Sequence, residues 1–268
     1  MAETAIGVDL GDLRLGAKEA LRAAARMQFR AVELPAAEGE TSPKNLSASG
    51  RRHLSRFVEG LGLSMPALSA DLPLLRLTDP AAVDERVERT CAIIELAADL
   101  GVAIVTAAAG ALTHPRTGKP SDIALAALRR IGEFADARDT IFALRPSSDT
   151  ADRLAAVFDA VRCPQIRIGL DPAALVMAGV NPLSPIERFA GQLALIHFRD
   201  ATMGSADRSG SETRLGEGEV DLRGIVSALE AAEFSGPMFV RRTDTNNPVQ
   251  ELADARITLQ HLLRVGCA

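Results

Sequence analysis

Short apolar runs alternate with longer stretches of helical spacing along the whole chain. Ala5-Ile6-Gly7-Val8-Asp9-Leu10 reads as a strand bounded by Gly11-Asp12. Residues 16–27 carry an Ala/Leu/Arg helical pattern, and Arg30-Ala31-Val32-Glu33-Leu34 reads as a second strand stopped by Pro35. A helix is expected over 47–61, capped by Ser47 or Ser49 and ended by Gly60 or Gly62. The third strand, 64–70, carries Pro66 awkwardly at its middle. Asp79-Pro80 opens the clearest helix, with Asp79 as N-cap and Pro80 at the first position, and Gly101 closes it.

The rhythm continues to the end of the chain. Strands are expected at 102–106, 140–145, 165–171, 193–197 and 236–240. Helices are expected from Ser121-Asp122 onward, over 149–161, within 183–191, and over 221–233 and 248–264. The strands are continuous apolar runs, as parallel strands buried on both faces require. Eight strand–helix units without a linker or a break in composition predict one domain over 1–268, a single (β/α)8 TIM barrel. An open doubly wound sheet would usually need fewer units.

Four strand ends carry a polar group, at Arg145, Asp171, His197 and Arg241. In a barrel these ends face the mouth where sites are built. Pleat alternation then turns Ala143, Ile141, Leu195 and Phe239 inward with them, and Phe142 and Leu144 toward the helices. Glu33 joins the mouth by the same alternation, with Ser69 a weaker candidate.

Composition narrows the function classes. A net charge of −5 with 3% aromatics supplies neither the basic stripe nor the stacking rings of a nucleic-acid surface. Cys91, Cys163 and Cys267 are widely spaced and form no CxxC pair, which fits a reduced, cytoplasmic protein. Met1-Ala2-Glu3-Thr4 lacks the features of a secretory leader. No apolar run approaches a membrane span.

The C-terminal half holds the most specific pattern. Ile196-His197-Phe198-Arg199-Asp200 is followed by a polar loop and by the box Leu215-Gly216-Glu217-Gly218-Glu219-Val220-Asp221. With Leu170-Asp171, Phe234-Ser235-Gly236-Pro237 and Ala31-Val32-Glu33-Leu34, this resembles the sugar phosphate isomerase/epimerase family, the xylose isomerase-like TIM barrels. The resemblance implies a divalent metal (Mn, Mg or Zn) at the mouth. Its ligands would be a Glu, an Asp, a His and a Glu ending strands five to eight, and the two glutamates would double as the acid/base pair. Here Asp171 and His197 stand in place, but Arg145 and Arg241 replace both glutamates.

Arginine is neither a ligand nor an ordinary base. The family's metal is therefore expected to be absent, with no other cofactor in its place. Two arginines and Asp171 sum to +1, more than replacing the ion's charge. Arg145 and Arg241 either bind an anionic ligand or fill the vacated space by pairing with Asp171 and Glu33. His197, Asp171 and Glu33 are the candidate acid/base groups; His197 is alternatively an inherited residue bonded to Asp171 or a neighbour. Arg199, Asp200 and Arg214 flank the seventh-strand loop and either line a substrate pocket or form surface ion pairs. The Gly216/Gly218 box reads as a turn, not a phosphate cradle. His114 is expected in solvent, and His53 and His261 are expected to be structural.

Two functions stay open. One is a proton-transfer enzyme of isomerase/epimerase type, acting without metal on a small hydroxylated substrate, with sugar phosphates and carboxylates as candidates. The other is a non-catalytic barrel with a binding or regulatory role. Neither nucleic acid nor membrane is an expected partner. Barrels of this kind often pair, which leaves a homodimer open. Arginine forks without partners would argue for a ligand; arginines locked onto carboxylates would argue for a relic.

Overall fold

Eight parallel strands close into a ring in the computed structural model, which describes residues 5–205 and 209–266. Met1 to Thr4 and Cys267, both weighed above, lie outside the described residues. The ring is built from β1 (Ile6–Asp9), β2 (Ala31–Pro35), β3 (Ser64–Ser69), β4 (Ile104–Gly110), β5 (Ile141–Pro146), β6 (Ile166–Leu170) and β7 (Leu193–Phe198). An antiparallel ribbon follows, β8 (Asp200–Thr202) with β9 (Ser211–Thr213). Then β10 (Met238–Val240) pairs with both β7 and β1 and closes the barrel.

Around it stand α1 (Ala17–Arg26), α2 (Ala48–Gly60), α3 (Val83–Leu100), α4 (Asp122–Asp136), α5 (Ala151–Val161), α6 (Pro172–Met177), α7 (Leu183–Arg188), α8 (Leu222–Ala231) and α9 (Pro248–Gly266). No helix among the described residues is long and apolar enough to cross a membrane.

Two layers of apolar packing follow from the pleat. Ala31, Ala67, Ile104, Ala143, Leu195 and Phe239 fill the barrel interior. Val32, Phe142, Leu144, Ile168 and Ile196 face outward into the larger core beneath the helices. Gly7 makes room for the largest interior side chain: a Cβ there would stand 2.5 Å from the Phe239 ring.

One local expectation is corrected and two are refined. Asp79 does cap a turn, accepting from the Ala81 N–H at 2.9 Å, but Ala82 at φ −115° interrupts it and α3 begins only at Val83. Pro66 is absorbed by a bulge: Ala31 pairs with Ser64 and Glu33 with Ala67, so three steps on β3 face two on β2. The sixth unit opens with an extra helix, α6, because Asp171 caps it and Pro172 occupies its first position.

Candidate active site

The strand ends converge at the C-terminal mouth. Glu33 from β2 and His197 from β7 reach across the barrel, with His197 Nε2 2.5 Å from Glu33 Oε2, and both side chains are wholly buried. The Phe239 ring meets the imidazole edge to face at 5.8 Å between centroids. Glu33 Oε1 and His197 Nδ1 have no hydrogen-bond partner among the described residues. Burial lifts the Glu33 carboxyl from its usual 4.5 to about 7, against the pull of Arg145 and Arg241. Burial and the same two guanidiniums hold His197 well below its ordinary value, so the imidazole is neutral.

A layer of ion pairs lies outside this couple. Arg145 donates from Nη2 to Asp71 Oδ2 and from Nε to Thr106 Oγ1 at 3.0 Å. Gly169 gives it room, since a Cβ there would stand 3.0 Å from Arg145 Cγ. Arg241 forks onto Asp12, Nε to Oδ2 and Nη2 to Oδ1, both at 3.1 Å. It also lies 3.1 Å from Asp9 Oδ2 and 3.9 Å from Asp71 Oδ2. Burial pushes the Asp71 carboxyl up, but Arg145 and Arg241 outweigh it and hold the group well below the usual carboxylate range. Burial dominates at Asp9 and raises it well above that range.

The expected partners were therefore wrong. Arg145 and Arg241 bind Asp71, Asp9 and Asp12 rather than Asp171 and Glu33. These three aspartates also overturn the positive charge sum inferred from Arg145, Arg241 and Asp171 alone. Asp9 ends β1, Asp12 lies in the turn after it, and Asp71 lies two residues past β3. Their positions just beyond apolar runs were the available signal.

Asp171 serves α6 and Arg199. Its Oδ1 accepts from the Ala174 N–H at 3.2 Å and from Arg199 Nε at 3.3 Å. Burial raises this carboxyl, but Arg199, Arg145 and Arg241 together bring it below its ordinary value. Arg199 also approaches Glu212 of β9 at 3.8 Å, so it forms no surface pair. Glu212, unremarked in the sequence, ties the ribbon to the segment after β10 by accepting from Thr243 and Asp244 N–H groups.

Asp200 is buried and organises the Gly-Glu-Gly box. Its Oδ2 accepts from Gly216 and Gly218 N–H, both at 2.9 Å, and its Oδ1 from Val220 N–H at 3.1 Å. A Cβ at Gly218 would fall 2.1 Å from that carboxylate, which accounts for the glycine. Arg214 points outward, 60% exposed, and among the described residues pairs only with Glu251, at 3.4 Å; it stands apart from the mouth couple. His114 is exposed, as expected.

The residues present do not fit the ion implied by the resemblance. Two of its four ligand positions hold guanidiniums, Asp171 is engaged by Arg199, and His197 Nε2 is engaged by Glu33. Among the described residues no group of three or more His, Cys, Asp and Glu has the spacing to hold a metal.

Comparison with known proteins agrees with the architecture. A family model for xylose isomerase-like TIM barrels matches residues 21–264. Among solved structures, a xylose isomerase domain protein from Planctomyces limnophilus superposes with a TM-score of 0.84 at 18% identity, covering 98% of this chain and 97% of that one. An L-ribulose 3-epimerase gives 0.78 at 19% identity, covering 98% and 96%. A xylose isomerase-like TIM barrel protein from Mycobacterium smegmatis in complex with magnesium gives 0.74 at 18% identity, covering 99% and 98%. At these identities the likeness is one of fold. Among curated proteins, none matches this sequence.

Proposed function

The chain belongs to the xylose isomerase-like TIM barrel family, and from that premise we propose that it binds a small hydroxylated substrate at the mouth and moves a proton on it without a divalent metal. The supporting observation is the buried Glu33–His197 couple, whose carboxyl is held near 7. A group poised near neutrality serves as base and then as acid in one cycle. Glu33 takes the proton from a carbon beside a carbonyl and later returns it. Neutral His197 fixes the carboxyl by holding its Oε2. Arg145 and Arg241 offset the charge that develops on the carbonyl oxygen. Asp171, kept ionised and engaged by Arg199, is a weak base and acts by holding that arginine in place.

A second reading, a non-catalytic barrel, is favoured by one observation. Each mouth guanidinium already has a carboxylate: Arg145 has Asp71, Arg241 has Asp9 and Asp12, and Arg199 has Asp171. Against it stand Glu33 Oε1 and His197 Nδ1, two buried polar atoms with no partner among the described residues. Such atoms are costly to keep in a barrel that has only to fold.

Protein stripped with a chelator and incubated in D2O with a panel of sugar phosphates and hydroxy acids tests the two readings. The expected result is solvent deuterium at a carbon beside the carbonyl of at least one compound, seen by NMR and abolished by Glu33→Gln. Exchange that needs added manganese overturns the metal-free reading. Absence of exchange across the panel leaves the non-catalytic reading.

A further inference from the structure

Asp71 differs from the other carboxylates of the mouth. Asp9 ends β1 and Asp12 lies in the turn after it, with side chains 3% and 5% exposed. Asp71 stands beyond β3 with a side chain 33% exposed. Its Oδ1 accepts from the Ala108 N–H at 2.8 Å, while its Oδ2 pairs with Arg145 and lies 3.9 Å from Arg241 Nη1. One oxygen of a partly exposed carboxylate thus sits between two buried guanidiniums.

The surroundings leave this carboxylate room to move. Cavities of about 620 and 510 Å³ flank it, and Asp71, Leu72, Pro73 and Leu75 line both. The backbone beside it is fixed: Leu72 is buried, and buried Arg86 donates to the Leu72 carbonyl at 2.9 Å and to the Leu75 carbonyl at 3.4 Å. Rotation of the Asp71 side chain alone carries its carboxylate from the guanidiniums toward open space. Arg145, however, has no other carboxylate at ion-pair distance among the described residues. A buried guanidinium left unpaired is strongly unfavourable, so Asp71 departs only as another anion arrives.

The geometry points to a ligand-anion site that Asp71 closes: a carboxylate or phosphate of a small ligand replaces the Asp71 carboxylate between Arg145 and Arg241, beside the Glu33–His197 couple. Planar guanidinium forks accept either group. A neutral sugar brings no charge to replace Asp71 and is excluded, which makes the exchange a specificity device. Glu33 Oε1 and His197 Nδ1, without a partner among the described residues, lie within the field of the same two guanidiniums, where the rest of the ligand would find them. This inference rests on the mouth being a substrate site and adds what the substrate carries and which residue it displaces.

The test is thermal unfolding of wild type, Asp71→Ala and Asp71→Asn, titrated with acetate or inorganic phosphate at constant ionic strength. Both variants are expected to melt below wild type. Acetate or phosphate is expected to raise their midpoints at concentrations about tenfold or more below those acting on wild type. Preference for acetate marks a carboxylate ligand, and preference for phosphate a phosphorylated one. The response should vanish in Asp71→Ala/Arg145→Met. Asn is nearly isosteric and serves if the Ala variant does not fold. Variants that respond to neither anion more than wild type does, or a response that survives loss of Arg145, would overturn the site. Anion rescue without deuterium exchange sinks the proposed chemistry alone; exchange without anion rescue sinks the Asp71 site alone.

Discussion

Glu33 of β2 and His197 of β7, on strands that β1 and β10 separate in the ring, lie 164 residues apart and meet at 2.5 Å with no exposed atom on either side chain. Both groups are shifted from their ordinary values, and their shifts act on stability in opposite directions as the pH changes.

The folded chain holds a proton on Glu33 up to about 7, while the unfolded chain releases it near 4.5. The stabilisation from this group is therefore complete below the lower value, falls through that window and is gone above the higher one. Its size is on the order of 3 kcal/mol at most. His197, depressed below 6.5, works the other way: its contribution is lost as the pH falls below that value. Glu33→Gln removes the first effect and keeps the second. Urea unfolding from about pH 5 to about pH 8 should show wild type losing stability relative to Glu33→Gln as the pH rises. A constant difference would mean that Glu33 titrates normally.

Asp200 holds the chain after β9 by its backbone. Replacing it with Ala strips the acceptor from Gly216, Gly218 and Val220 N–H groups. Three buried or partly buried donors lost together cost about 3–5 kcal/mol. Gly218→Ala is also expected to destabilise, because its Cβ collides with the Asp200 carboxylate. Denaturant midpoints of the two single variants and the double variant should show a double cost smaller than the sum, since Asp200→Ala removes the collision. Strict additivity would separate the glycine from the aspartate.

The strand rhythm was readable because every barrel strand is a short apolar run, and the inward register followed from its alternation: Ala143, Leu195 and Phe239 share the interior with Ala31 and Ala67. Arg145, Asp171 and His197 were found because each ends such a run. The partners of the arginines were not legible. Asp12 and Asp71 look like ordinary turn residues along the chain, Asp9 sits inside an apolar run, and only closure of β1 against β10 brings Asp12 to Arg241. Arg86 was equally hidden: it shares its helix with Arg89, yet it is buried on backbone carbonyls, and burial lowers its guanidinium to about 10. Charge type is visible in sequence; which charge meets which depends on the closed ring.

The Asp12–Arg241 fork bears on that point directly. Arg241→Met leaves Asp9 and Asp12 buried without their cation, at a cost of about 3–5 kcal/mol near neutral pH. Arg241 is what opposes burial at Asp9, so its loss raises that carboxyl further; the added penalty is present at high pH and shrinks as acid protonates Asp9. Urea midpoints should put the variant nearer to wild type at about pH 5 than at about pH 8. An equal deficit at both would assign the loss to packing of the arginine stem.

The final prediction concerns the replaced ligand positions. Arg145→Glu/Arg241→Glu restores carboxylates at the two strand ends where the family resemblance places them, next to Asp171 and His197. It also removes both cations facing Asp9, Asp12 and Asp71. Without those two guanidiniums the double variant concentrates negative charge in a buried mouth and is expected to melt well below wild type. A hard divalent ion answers both defects, because it supplies positive charge and takes oxygen ligands. Manganese should therefore raise the midpoint of the double variant by several degrees while leaving chelator-treated wild type unmoved. Stabilisation of wild type by manganese would show that the arginines had not displaced the ion. A double variant that manganese leaves unmoved would show that the mouth had diverged beyond those two substitutions, with Asp171 kept by Arg199 and His197 by Glu33.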